Sequence, residues 1–258
     1  MNRDSNAYTF IFATLMVLVV ASTLAFTASS LKELQASNVR KEKMQNILAT
    51  IGIETDREKA ESLYKEYITA QLSLTASGDI DQNVNAFEIS LNNEIKKPAI
   101  EQRFPLYEAN VNGSKFYIVP LRGVGLWDAI WGYIALKEDR NTIQGAVFDH
   151  KGETAGLGAE ITQQWFQDRF VGEKLFDPQG QLVGINVSKT NNDPKDKDKD
   201  DHEVDAISGA TRMRIVSQAQ LYNASNADTV VTACNLSLIH ISEPTRPERI
   251  AYAVFCLK

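Results

Sequence analysis

The sequence predicts an α+β fold: an N-terminal transmembrane helix followed by a mixed α/β domain with a central, mostly antiparallel sheet. Three observations carry this reading. No charged residue occurs from Ser5 to Leu31. Three runs rich in β-branched and aromatic residues, separated by turn-forming residues, lie between Lys115 and Phe148. Stretches with helical periodicity flank them on both sides.

The apolar run from Tyr8 to Ala28 has the length needed to cross a bilayer core as a helix, about 20 residues. Its few polar groups are Thr and Ser hydroxyls, which can bond back to the helix backbone. A signal peptide would also begin with a short charged stretch, here Arg3, and the small residues from Ala25 to Ser29 mimic a cleavage site. The run exceeds the usual apolar region of roughly 7–15 residues, which favours an anchor over a signal peptide or a buried soluble helix. Counting Lys32, Arg40, Lys41 and Lys43 after the span against Arg3 and the α-amine before it would keep the C-terminal side cytoplasmic.

Residues 32–75 are predicted to form juxtamembrane helices. Met44, Ile47, Leu48 and Ile51 recur at i, i+3, i+4 and i+7, and Gly52 ends that helix. A second, charged helix is expected from Glu54 to Thr69. Residues 76–97 are polar and without period, as a loop would be. Lys115–Leu121, Ala129–Leu136 and Thr142–Phe148 are predicted strands, with a hairpin turn at Asp139, Arg140 and Asn141. Ala159–Phe170 is predicted as one helix with Ile161, Trp165 and Phe166 on its apolar face, followed by a strand at Gln181–Val187. A flexible charged loop is expected over 188–203, because Asn191–Asp201 alternates charge and has no apolar residue to offset ordering entropy.

Composition excludes several functions. The formal net charge of -6 argues against a nucleic-acid partner, which would require a surplus of Lys and Arg. Two cysteines, Cys234 and Cys256, and three histidines show no metal-ligand spacing, so no metal site is assigned. No GxGxxG motif marks a nicotinamide site.

The stretch with chemistry in it is DAISGAT, Asp205 to Thr211. Gly209 permits a tight turn and close backbone approach. Ser208 and backbone N–H groups can cradle a phosphate. The small residues Ser208, Gly209 and Ala210 leave the Thr211 hydroxyl accessible to an activated phosphate, and Asp205 can orient a hydroxyl or a metal. As a bare string, SGAT is also an ordinary small-residue turn. Two further motifs precede it. In GETAGLG, Gly152, Gly156 and Gly158 let the backbone approach a planar ring, with Glu153, Thr154 and Leu157 beside it. In GLW, Leu126 and Trp127 read equally well as a buried pair beneath the sheet or as an apolar wall of a ligand site.

The order and spacing of GLWDAI, GETAGLGAEI, Trp165-Phe166 and DAISGAT resembles the C subunit of sodium-pumping NADH:quinone reductases and the related G subunit of Rnf complexes. Both belong to the FMN-binding-domain family. The resemblance implies that Thr211 carries FMN through a phosphoester installed from FAD by a flavin transferase. It implies a role as electron relay among the other members of an assembly of six subunits with NADH:ubiquinone or menaquinone oxidoreductase activity. No catalytic residue is assigned, since the flavin does the redox chemistry. Leu126, Trp127, Glu153, Thr154, Gly156, Leu157 and Gly158 are expected at the isoalloxazine. The resemblance puts the domain on the periplasmic face of a bacterial inner membrane, and this placement is preferred to the charge count.

The resulting division is a cytoplasmic stub and transmembrane helix over 1–31, juxtamembrane helices over 32–75 and the FMN-binding domain over 76–211. Residues 212–258 form an aberrant tail. The family usually has Pro where this chain has Ala155, which loosens that turn and removes no reactive group. After SGAT, relatives continue with a residue, Thr, and a helix start holding Ser and Gly, where this chain has Arg212-Met213-Arg214. Leu236–Arg246 matches the translation of a sequencing adapter, so 236–258 are expected to carry no function. Two rival readings stand: an Rnf G subunit, and a membrane-anchored, non-redox binding module in which SGAT is only a turn.

Overall fold

The computed structural model describes residues 5–125, 127–188, 197, 199 and 201–207, and the backbone of 212–217 and 234–239. Helix α1 runs without interruption from Asn6 to Ala49, where two separate helices were expected. The reason lies in composition: no Pro or Gly occurs between Tyr8 and Ile51 to break the hydrogen-bond ladder. Ser5 caps the start by accepting the Tyr8 N–H. The hydroxyls of Thr23, Thr27 and Ser30 donate to the carbonyls of Val19, Thr23 and Phe26, so these polar groups are satisfied inside the helix.

At about 1.5 Å per residue, its 44 residues reach roughly 66 Å, about twice a bilayer core. The helix is long and apolar enough to cross a membrane, and Phe10, Leu15, Val17 and Leu18 point outward. Its far end buries Ile47 and Leu48 in the domain. Gly52, at φ 79°, turns the chain away there.

The second helix, α2, is shorter than predicted, Ala60–Tyr67, and Ile68–Thr75 is instead strand β1. Backbone pairing with Arg103–Val111 (β2), a strand not identified from the sequence, outweighs the helical tendency of this segment. A short helix α3, Leu91–Glu94, lies in the polar connection between them. Strands β3 (Ser114–Val124), β4 (Ala129–Leu136) and β5 (Ile143–His150) continue an antiparallel meander close to the predicted boundaries. The Asp139–Asn141 turn forms as expected, with Arg140 at φ 56° and Asp139 Oδ1 accepting the Asn141 and Thr142 N–H groups.

The expected helix over Ala159–Phe170 is broken into a 3-10 turn at Gly158–Thr162, helix α4 at Gln164–Gln167, and a second 3-10 turn at Asp168–Phe170. Gln163, in extended conformation, separates the first two. A straight helix at about 100° per residue would turn Ile161 about 140° from Phe166. The break lets both side chains, and Phe170, enter one core, while Trp165 is left 47% exposed. Strand β6 (Ile185–Ser188) lies at the end of the predicted Gln181–Val187 segment and pairs in parallel with β7 (Glu203–Asp205). The backbones of β8 (Arg212–Ser217) and β9 (Cys234–Ile239) join β6 to the second half of β3.

Both faces of the sheet are covered. Ile47, Leu48, Tyr64, Phe87 and Tyr107 form the core under α1 and α2. Phe148, Ile161, Phe166, Phe170, Val204 and Ile207 form the core under the Gly158–Phe170 segment. This explains why β4 reads AIWGYIAL with almost no polar alternation: Ile134 enters one core and Ala135 the other.

Candidate functional site

The strand registers bring the candidate motifs to one end of the sheet. Val124 pairs with Ala129, so GLW is the turn between β3 and β4. Ile130 pairs with His150, so the GETAGLG stretch leaves β5 beside that turn. Asp205 ends β7 opposite Ser188, the last residue of β6, and Arg214 of β8 faces Asn186. The Gly158–Phe170 segment links the two regions from one face, since Gln167 donates to the Phe148 and Ile161 carbonyls while Phe170 and Ile207 share a core.

The two glycine-containing turns are tied together at three points. Lys151 N–H donates to the Ala129 carbonyl at 2.9 Å. Lys151 Nζ lies 3.0 Å from Asp128 Oδ2, an exposed pair of small energetic weight. Asp128 is held below the usual carboxylate range, chiefly by the Ala129 N–H it accepts and then by Lys151. The third link is Glu153, whose Oε1 accepts the Trp127 N–H at 3.1 Å. Glu153 N–H in turn donates to His150 Nδ1, which fixes that imidazole nitrogen as an acceptor.

Trp127 is 68% exposed and Leu157 41% exposed, with Val124 also outward, so this end of the sheet shows apolar surface around two turns. Trp127 therefore lies on the surface and not in a pair buried beneath the sheet. Thr154 is exposed, and its carbonyl accepts the Leu157 and Ala159 N–H groups. Gly156 sits at φ 76°, a conformation that a side chain would strain. Gly158 is buried against the Glu153 side chain.

Asp205 takes part through its backbone. Its carbonyl accepts from Arg169 Nη1, and the Arg169 guanidinium lies 4.9 Å from the Trp165 ring centre. The Arg169 carbonyl accepts from Lys199 Nζ at 2.7 Å, and Lys199 also lies 3.7 Å from the fully buried Glu173. Arg169 escapes sequence reasoning, because one Arg in an apparently helical stretch carries no local signal. Leu126, Ser208, Gly209, Ala210 and Thr211 lie outside the described residues, as does most of the 188–203 loop.

The exposed apolar rim of Val124, Trp127 and Leu157 and the open backbone at Gly156 give this sheet end a surface that a planar aromatic group can lie against. The chain is thus a flavin-site protein with a helix fit for membrane anchorage: the FMN-binding domain profile matches residues 125–215, a span holding every candidate site residue. The C subunit of the Na(+)-translocating NADH-quinone reductase of Pseudomonas aeruginosa is 31% identical over 230 residues, covering 81% of this chain and 87% of that protein. The chain belongs to the family of these C subunits. The Haemophilus ducreyi counterpart is 29% identical over 226 residues, covering 81% of this chain and 86% of that protein. The crystal structure of the Parabacteroides distasonis counterpart matches with a TM-score of 0.62 at 36% identity, covering 69% of this chain and 85% of that one. Shewanella oneidensis NqrC shares the fold, with a TM-score of 0.55 at 24% identity and coverage of 66% and 84%.

Proposed function

We propose that this chain is an electron-relay subunit of a sodium-translocating NADH:quinone reductase, carrying FMN as a phosphoester on Thr211. The observation that carries the proposal is positional. Thr211 directly precedes β8 in sequence; β8 pairs with β6 and, through β9, with the second half of β3, and these registers turn the start of β8 toward the sheet end that also bears GLW, GETAGLG and Asp205. When bound, FMN supplies the redox chemistry, and the protein supplies tether, orientation and surroundings. Trp127 and Leu157 offer apolar surface to the ring system. The exposed backbone around Gly156 admits it closely. In sequence, only the small residues Ser208, Gly209 and Ala210 precede Thr211, whose hydroxyl is the group a flavin transferase would modify during maturation.

Residues 76–211 form the flavin-bearing unit in this reading, held by one membrane helix on the periplasmic side of the inner membrane, with the other reductase subunits as partners. The similarity to C subunits of Na(+)-translocating reductases favours this over an Rnf G subunit. The test is intact mass. Protein purified from cells containing the transferase should gain one FMN, and Thr211→Ala should gain none. An unmodified, colourless wild-type chain from such cells refutes the assignment and supports the non-redox binding module.

A further inference from the structure

We propose that Glu153 is a positioning residue whose carboxylate clasps the β3–β4 turn to the GETAGLG turn and thereby sets the gap between Trp127 and Leu157. The sequence alone leads to an expectation of Glu153 beside the flavin. The geometry shows its carboxylate bound within the protein. One oxygen, Oε1, accepts the Trp127 N–H. The carboxylate lies in a slot between two glycines: a Cβ on Gly125 would fall 2.1 Å from Oε1, and a Cβ on Gly158 would fall 2.6 Å from Oε2. Neither distance is tolerable for real atoms, so both positions require glycine while Glu153 stays in place. The base of the side chain is fixed as well, through the Glu153 N–H bond to His150 Nδ1.

The bond to Trp127 is charge-assisted, and among the three links it is the one that reaches the residue carrying the exposed indole. The Lys151–Asp128 pair is solvent-exposed, and the Lys151–Ala129 bond lies nearer the strands. Without the clasp, the Trp127 turn and the Gly152–Gly158 turn can part. The consequence for the flavin rests on the proposed function, but the clasp itself does not.

Hydrogen–deuterium exchange of the full-length chain in detergent, prepared without the transferase, tests the clasp. Glu153→Ala should speed exchange in residues 124–128 and 151–158 by about tenfold or more, the least a charge-assisted hydrogen bond contributes. Exchange in β4 should not change. Glu153→Asp keeps the charge but shortens the reach, and should behave as alanine does; it decides the question if the alanine variant fails to fold. Glu153→Gln keeps reach and an acceptor oxygen, and should restore most of the protection. Gly158→Ala should mimic Glu153→Ala with Glu153 still present, and combining the two should add little. Wild-type exchange in both the Ala and Asp variants overturns the clasp, as does acceleration spread evenly through the sheet. Absence of FMN on Thr211 would instead strike the proposed function and leave these exchange results standing.

Discussion

Replacing Arg169 with alanine removes two contacts at once: the hydrogen bond from Nη1 to the Asp205 carbonyl and the stacking over Trp165. A hydrogen bond from a charged donor contributes about 1.5–3 kcal/mol, and a half-exposed cation–π contact about 0.5 kcal/mol. Arg169 is itself partly exposed, so the lower end applies and the sum is about 2 kcal/mol. For a domain of this size that is a fall of roughly 4–8 °C in Tm. The loss falls on the strand end that leads into SGAT, so under the proposed Thr211 linkage FMN attachment should slow by more than global stability explains. Arg169→Lys keeps the charge but cannot both fork to the carbonyl and lie flat on the indole, and should recover only part of the effect. Thermal unfolding of the detergent-solubilised chain and a time course of flavin incorporation by mass measure the two effects. An alanine variant that melts and loads as wild type would refute the role assigned to Arg169.

Phe148 is 1% exposed, with Phe170 at 5.0 Å and Phe166 at 6.2 Å between ring centres. Phe148→Ala should cost about 3–5 kcal/mol in chemical denaturation, because the cavity lies where β5 supports the Gly158–Phe170 segment. Burial lowers Lys43 to about 8 despite the favourable charge of Glu88, with Arg40 adding to the lowering. The folded state therefore binds this proton less tightly than the unfolded chain does, and stability should rise with pH from about 8 toward 10. Above pH 10 the trend reverses, since burial holds Tyr64, Tyr107 and Tyr133 well above the usual phenol range and their contribution is lost as the unfolded chain ionises. Lys43→Met should remove the rise between pH 8 and 10 in unfolding curves. An unchanged slope would contradict burial as the cause.

The sequence alone determined the features that depend on local chemistry. A charge-free apolar run without Pro or Gly specifies a long helix able to cross a membrane, whatever the rest of the chain does. The runs at Lys115–Leu121, Ala129–Leu136 and Thr142–Phe148, punctuated by Asp139–Asn141, specify three strands and a turn. The glycines of GETAGLG were legible as a turn, and Gly156 does take a positive φ there. Tertiary structure decided what depends on partners distant along the chain. Ile68–Thr75 is a strand because β2 lies beside it, and Ala159–Phe170 breaks because Ile161, Phe166 and Phe170 must reach one core. Pairing registers brought GLW beside GETAGLG and Asp205 toward the same sheet end. Glu153 turned onto the Trp127 N–H, and Arg169 onto Asp205, for a reason no local pattern contains. A hydrogen bond between residues 26 or 36 positions apart exists only once the strands between them have paired.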